Sequence, residues 1–240
     1  MKKIIYIFSL LLFSLYAEEG LGDVQKNGLI IVNSHGKKIT IDRKKDAQCS
    51  KKNLNPDALF GGDYAGKKVP TVCKKSFVTH VGVLQPMTLA KNIQTVGELE
   101  VLAHIKEAQK ESSKYVLIDA RMVQWFEQMT IPTSVNLPFN EILYDEDIDE
   151  DDFESEDEYE EYQDSNERMF EILNIKKNKK GLDFSKAKSA LFFCNGSWCS
   201  QSPKAIFKLI NMGYPKEKLL WYRGGLQDWL IYDFTVEVPK

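Results

Sequence analysis

The stretch "ALFFCNGSWCSQSPKAIFKLINMGY", Ala190 to Tyr214, decides how the chain is read. "ALFF" is an apolar run without polar alternation, the pattern of a strand buried on both faces. It ends at Cys194, and a helix follows with Ser202 as its N-cap, Pro203 in its first turn and Gly213 as its C-terminal stop. A strand, loop and helix in that order put the loop at the carboxyl edge of a sheet, where open α/β folds bind their ligands. Peptide N–H groups from Asn195 to Ser202 curl toward a common point there, and the helix adds its positive end. Both effects lower a thiol pKa and hold an anion, so the loop favours a thiolate nucleophile at Cys194.

Working outward, "KLLWYRGG" reads as another strand with a glycine turn, and Leu226, Trp229 and Leu230 follow on a short helix. Upstream, Val96, Leu99, Leu102, Ala103 and Ile105 fall at helical spacing, and "YVLID" is a buried strand. The Ile131-Pro132 and Leu137-Pro138 pairs predict extended segments and turns. "RMFEILNI" is helical and "KKNKKG" a basic turn. Alternating strands and helices specify an open, mostly parallel α/β sheet flanked by helices.

From Asp145 to Glu161, 13 of 17 residues are acidic, so the run is expected to be a solvated, mobile insertion. It lacks the ligand spacing and turn glycine of an EF-hand loop.

Lys2 and Lys3 precede an apolar stretch from Ile4 to Tyr16 that ends at Ala17, the layout of a secretory signal peptide. The stretch is short for a membrane span, and a retained anchor is the competing reading. No other stretch is long and apolar enough to cross a bilayer. An exported protein, periplasmic or secreted and not integral to the membrane once the signal is cleaved, is therefore expected, in an oxidising compartment. Gly28 to Asp42 reads as a hairpin around His35-Gly36. Cys49 and Cys73 bracket a loop-rich segment; a disulfide between them is worth about 3 kcal/mol on the chain-entropy model, and independent thiols are the alternative. The expected divisions are a signal peptide at 1–17, a small N-terminal β/loop segment at 18–90, and an α/β domain at 91–240 with the acidic insertion at about 144–166.

With 43% hydrophobic residues and a net charge of −3, the composition is that of a globular protein with nothing basic enough for nucleic acid. His35, His80 and His104 show no ligand spacing with the cysteine pair, so no metal is expected. Only four of the 32 basic residues are Arg, which makes Arg121 and Arg223 the anion clamps to consider.

Four fragments in order resemble rhodanese-like sulfurtransferases: "LIDAR" at 117–121, "IPTSVNLP" at 131–138, the cysteine strand, loop and helix, and "LLWYRGGLQDW" with its Gly-Gly-x-x-x-Trp signature. The resemblance runs from Thr95 to about Val238. It implies that Cys194 is the persulfide-forming nucleophile. It also implies that Asn195, Gly196, Ser197, Trp198, Ser200, Gln201 and Ser202 form the loop that binds the donor's anionic end. Such proteins take sulfane sulfur from thiosulfate, a polysulfide or a persulfide and pass it to cyanide or a thiol, which includes protein thiols. They need no cofactor.

The chain departs from the family pattern at three places. Met129-Thr130 replaces the usual Gly-His, and Thr133 the following Gly. The loop looks longer than in most members and carries neither Arg nor Lys. Phosphatase and arsenate-reductase relatives clamp their oxyanion with an arginine, so its absence argues against phosphatase action and against efficient use of thiosulfate. Cys199 is read as a resolving thiol, an inert disulfide partner of Cys194, or packing. Trp198 roofs the loop or packs on the sheet. Asp119 and Arg121 form a supporting ion pair or bind substrate, and Arg223 supplies the missing cation or a surface salt bridge. Sulfur transfer leads. A thiol–disulfide oxidoreductase using the Cys194/Cys199 pair and a non-catalytic binding module whose acidic run docks a basic partner are the alternatives.

Overall fold

Residues 28–33, 35–42 and 83–239 are described in the computed structural model. The stretch expected to be a signal peptide, and Cys49 and Cys73 with the disulfide expected between them, lie outside the described residues.

The apolar runs expected as strands join a five-stranded sheet, and its edge strand at 94–96 takes Val96, expected from its spacing on the helix that in fact starts at Glu98. The sheet is built from β3 (Gln94–Val96), β4 (Tyr115–Asp119), β5 (Val135–Asn136), β8 (Ser189–Phe193) and β9 (Leu219–Tyr222), in the order β3-β9-β8-β4-β5. Every pairing in it is parallel. Side chains alternate across the strands, so each run feeds two cores. Val116, Ile118, Ala190, Phe192, Leu219 and Trp221 join one, with Met169 and Leu173 of α3 (Glu156–Leu173) and Ile206 and Leu209 of α4 (Gln201–Asn211). Leu117, Leu191, Phe193 and Tyr222 join the other, with Val101 and Ile105 of α1 (Glu98–Lys110) and Leu226 and Trp229 of α5 (Gly225–Ile231). A truncation such as Phe192→Ala, at a fully buried position, falls in the class that costs about 3–5 kcal/mol.

β8 is the central strand, flanked by β9 and β4. Cys194 continues the alternation of Ala190 and Phe192 and so turns toward the α4 core. Gly213, at φ +92, ends α4 just past Met212, as its sequence position predicts.

The hairpin forms too. β1 (Leu29–Val32) pairs antiparallel with β2 (Lys38–Ile41), and Asn33 Oδ1 accepts from the N–H groups of His35 and Lys37. Leu29, Ile31 and Ile41 bury against the α1 and α5 core, so the hairpin docks on the α/β domain. The Pro-rich stretch yields a one-turn α2 (Val123–Phe126) before β5, and the basic turn is the tip of a hairpin of β6 (Lys176–Asn178) and β7 (Gly181–Asp183).

The acidic run differs from expectation. It is exposed, but it is ordered: a 3-10 turn at Glu150–Asp152 leads into α3, which starts at Glu156, well before the apolar "RMFEIL". Ser155 caps the helix by accepting from Glu158 N–H at 3.3 Å, and Glu156, Asp157 and Glu158 sit in its first turn. Negative charge there complements the positive helix end, so the acidity that suggested a mobile insertion favours the start of a helix instead. Asn174 closes it in a left-handed conformation.

Candidate active site

Cys194 leaves the end of β8 and is 2% exposed. Its sulfur accepts a hydrogen bond from Ser202 Oγ at 3.1 Å and lies 3.4 Å from the Cys199 carbonyl oxygen, to which its S–H donates. α4 begins at Gln201 with Ser200 at the cap position, and no side chain caps it. Ser202 is therefore not the N-cap the sequence suggested. One residue inside the helix, its hydroxyl is directed at sulfur instead.

The loop amides do not converge on one atom. The Ser202 N–H faces Cys194, whereas the N–H groups of Gln201 and Asn195 face Cys199. Cys199, 6% exposed, also donates to Gln201 Oε1 at 3.6 Å. Both cysteines are free thiols.

The electrostatics reverse the expected order. Burial pushes the Cys194 thiol well up, and the adjacent Cys199 pushes it further, outweighing what Ser202 contributes in the other direction. Cys199 is lowered to about 7, first by the neighbouring Cys194 side chain, then by the Gln201 and Asn195 amides and the charge of Arg121. The pair thus holds one proton tightly, and the first thiolate to form is Cys199.

The Gly-Gly turn after β9 holds the loop from behind. Leu226 N–H donates to Cys194 O and Gln227 N–H to Asn195 O, each at 2.9 Å. Gly225 makes this approach possible: its φ is +58, and a Cβ there would collide with the Cys194 carbonyl and come within 2.8 Å of Gly196 N. A Cβ on Gly196 would come within 3.2 Å of Trp198 Nε1 and 3.1 Å of the Gln227 Cβ, so the half-buried indole lies against the loop backbone. Cys199 N–H closes the turn onto Gly196 O at 2.9 Å.

Asp119 and Arg121 form a buried ion pair at the end of β4, and Arg121 Nη1 reaches Asn195 Oδ1 at 3.4 Å. Arg223 is not turned to the loop amides. Its Nε and Nη2 donate to Gln85 O at 3.1 and 2.9 Å, and Nε also reaches Pro86 O. Gln85 N–H in turn donates to Ser197 O at 2.8 Å. Residues 85–86, assigned from the sequence to the N-terminal segment, thus form a strap across the loop, with Arg223 as its fastener. No motif announces this strap, because it is made by backbone groups. Trp221 was also missed. Its Nε1–H donates to Ser202 Oγ at 3.1 Å, and a strand with period-two alternation could have placed it on the Cys194 side.

No curated protein matches the chain. Among solved structures, the BH2092 protein from Bacillus halodurans is similar at 19% identity, covering 60% of this chain and 76% of that one, with a TM-score of 0.38. A family model described as "Rhodanese-like domain" matches residues 102–231, more than half of the chain and inclusive of β4, β8, the cysteine loop and the Gly-Gly turn. The chain belongs to the rhodanese-like domain family.

Proposed function

We propose that the protein is a sulfurtransferase that takes sulfane sulfur onto Cys194 from a persulfide or polysulfide and passes it to a thiol, small or on a protein. The observation that carries this reading is the buried Cys194 sulfur at the end of the central strand, facing the Ser202 hydroxyl at 3.1 Å with a second thiol in the same loop. Thiosulfate is the weaker donor on this account, since the loop carries no cationic side chain and the donors of Arg121 and Arg223 described above are engaged elsewhere.

As a donor R–S–S⁻ approaches, the Cys199 thiolate takes the Cys194 proton, and the Cys194 sulfur attacks the outer sulfur. The new S–S bond to Cys194 forms as the donor's own S–S bond breaks, and the thiolate R–S⁻ departs with the electron pair. Fixed N–H and O–H donors stabilise that shift of negative charge without reorganising. An acceptor thiolate then attacks the outer sulfur and releases Cys194. In the resolving branch Cys199 attacks the inner sulfur, expels hydrosulfide and closes a Cys194–Cys199 disulfide, which a dithiol must reduce. An exported setting belongs to the same proposal, on the strength of the Lys2–Ala17 stretch.

A thiol–disulfide oxidoreductase is favoured by one observation, the two free buried thiols held together in one loop, with the Cys194 sulfur 3.4 Å from the Cys199 carbonyl oxygen. Cys194→Ser and Cys199→Ser separate the readings. Sulfur transfer predicts that C194S loses persulfide formation and that C199S keeps it with a longer lifetime. Loading that survives in C194S overturns the assignment.

A further inference from the structure

The buried polar groups around Cys194 form a chain with a direction. Trp221, 1% exposed on β9, can only donate through its indole N–H, and it donates to Ser202 Oγ at 3.1 Å. Ser202 is fully buried on the first turn of α4. Its hydroxyl has one proton and two acceptor sites. With one acceptor site filled by Trp221, the proton is left to point at Cys194 Sγ, 3.1 Å away. A serine hydroxyl in a helix otherwise turns back to a carbonyl of the preceding turn. The sequence explains why it does not: Ser202 lies in the opening turn, and the indole approaches from the adjacent strand.

We propose that Trp221 is a positioning residue for Cys194, fixing the Ser202 hydroxyl so that its proton is held on the reacting sulfur before any charge develops there. The relay supplies to Cys194 what the loop amides divide between two cysteines. Preorganised donors of this kind act at no cost of reorganisation in a site closed to water. The titratable group facing Cys194 is Cys199, with the Arg121 charge beyond it. The proposal rests on Cys194 being the reacting sulfur, yet its test reads the thiol itself.

The test is the pH profile of Cys194 alkylation by iodoacetamide, mapped by fragmentation mass spectrometry on the full chain. It is run in a Cys199→Ser background so that one loop thiol titrates. Ser202→Ala should move the midpoint up by about one pH unit, the scale of a lost hydrogen bond to a charged group. Trp221→Phe should move it up by about half a unit when Ser202 is present and not at all when Ser202→Ala is already made. An equal shift in both backgrounds would mean that Trp221 acts by packing, and no shift would mean that it does not orient the hydroxyl; either overturns the proposal. If Trp221→Phe does not fold, benzothienylalanine at 221, which keeps the bicyclic shape without the N–H, supplies the same comparison. Because alkylation needs no sulfur donor, a failure here is separate from a failure of sulfur transfer.

Discussion

Arg121 Nη2 donates to Asp119 Oδ2 at 2.6 Å with the two side chains 1% and 0% exposed. Nε adds bonds to both carboxylate oxygens, and the Thr130 hydroxyl donates to Oδ2 at 2.8 Å. A buried pair of this kind costs desolvation that only good geometry offsets, and removing one member strands the other. Asp119→Asn should therefore destabilise the fold by about 3–5 kcal/mol in urea unfolding. A loss below about 1 kcal/mol would show that the guanidinium relaxes to solvent.

The two thiols should titrate in a fixed order. Below about pH 7 both are protonated; as pH rises through about 7 Cys199 loses its proton, while burial keeps Cys194 protonated to higher pH. Iodoacetamide labelling, resolved by residue, should rise first at Cys199 with a midpoint near 7. Labelling of Cys194 at the lower pH would invert this part of the account.

Gly225→Ala should disturb the site from outside it. The added methyl meets the Cys194 carbonyl at a backbone φ of +58, so the turn must open and release the bonds from Leu226 and Gln227 to the loop. We expect about 2 kcal/mol or more of lost stability, together with reduced sulfur loading on Cys194. Unchanged unfolding and loading would show that the loop tolerates a wider Gly-Gly turn.

Thr133 stands where the family pattern has glycine, and its backbone is left-handed, at φ +72. Its buried Oγ1 finds no hydrogen-bond partner among the described residues. A β-branched residue pays about 1–2 kcal/mol for that conformation, and the hydroxyl adds to the cost. Thr133→Gly should stabilise the protein by about 1 kcal/mol after glycine's greater unfolded-state freedom is counted, with activity unchanged. Thermal or urea unfolding checks this, and a loss of stability would contradict it.

The parts legible in the sequence were those with a local physical signature. "SALFF" and "YVLID" could only be strands covered on both faces, and Gly213 could only be a helix stop. The start of α3 was hidden because a dense acidic run reads as solvated chain, while its favourable fit to a helix N-terminus depends on where the helix begins. The Cys194–Ser202 contact was hidden for a related reason. Serine before proline at a helix start signals a cap, and a shift of the cap to Ser200 freed the hydroxyl for another partner. Burial defeated the pKa expectation: amides and a helix end were visible in the residue order, but the desolvation of Cys194 is a property of the packed fold. The strap at Gln85 was invisible, being made of main-chain groups far away in sequence.

The most direct measurement treats the reduced full chain with polysulfide and, separately, with thiosulfate, then records intact mass and maps the modified residue. The account predicts a gain of one sulfur on Cys194 from polysulfide, and much less from thiosulfate. A Cys194–Cys199 disulfide with no sulfur gain at any stage would contradict it and assign the pair to dithiol exchange.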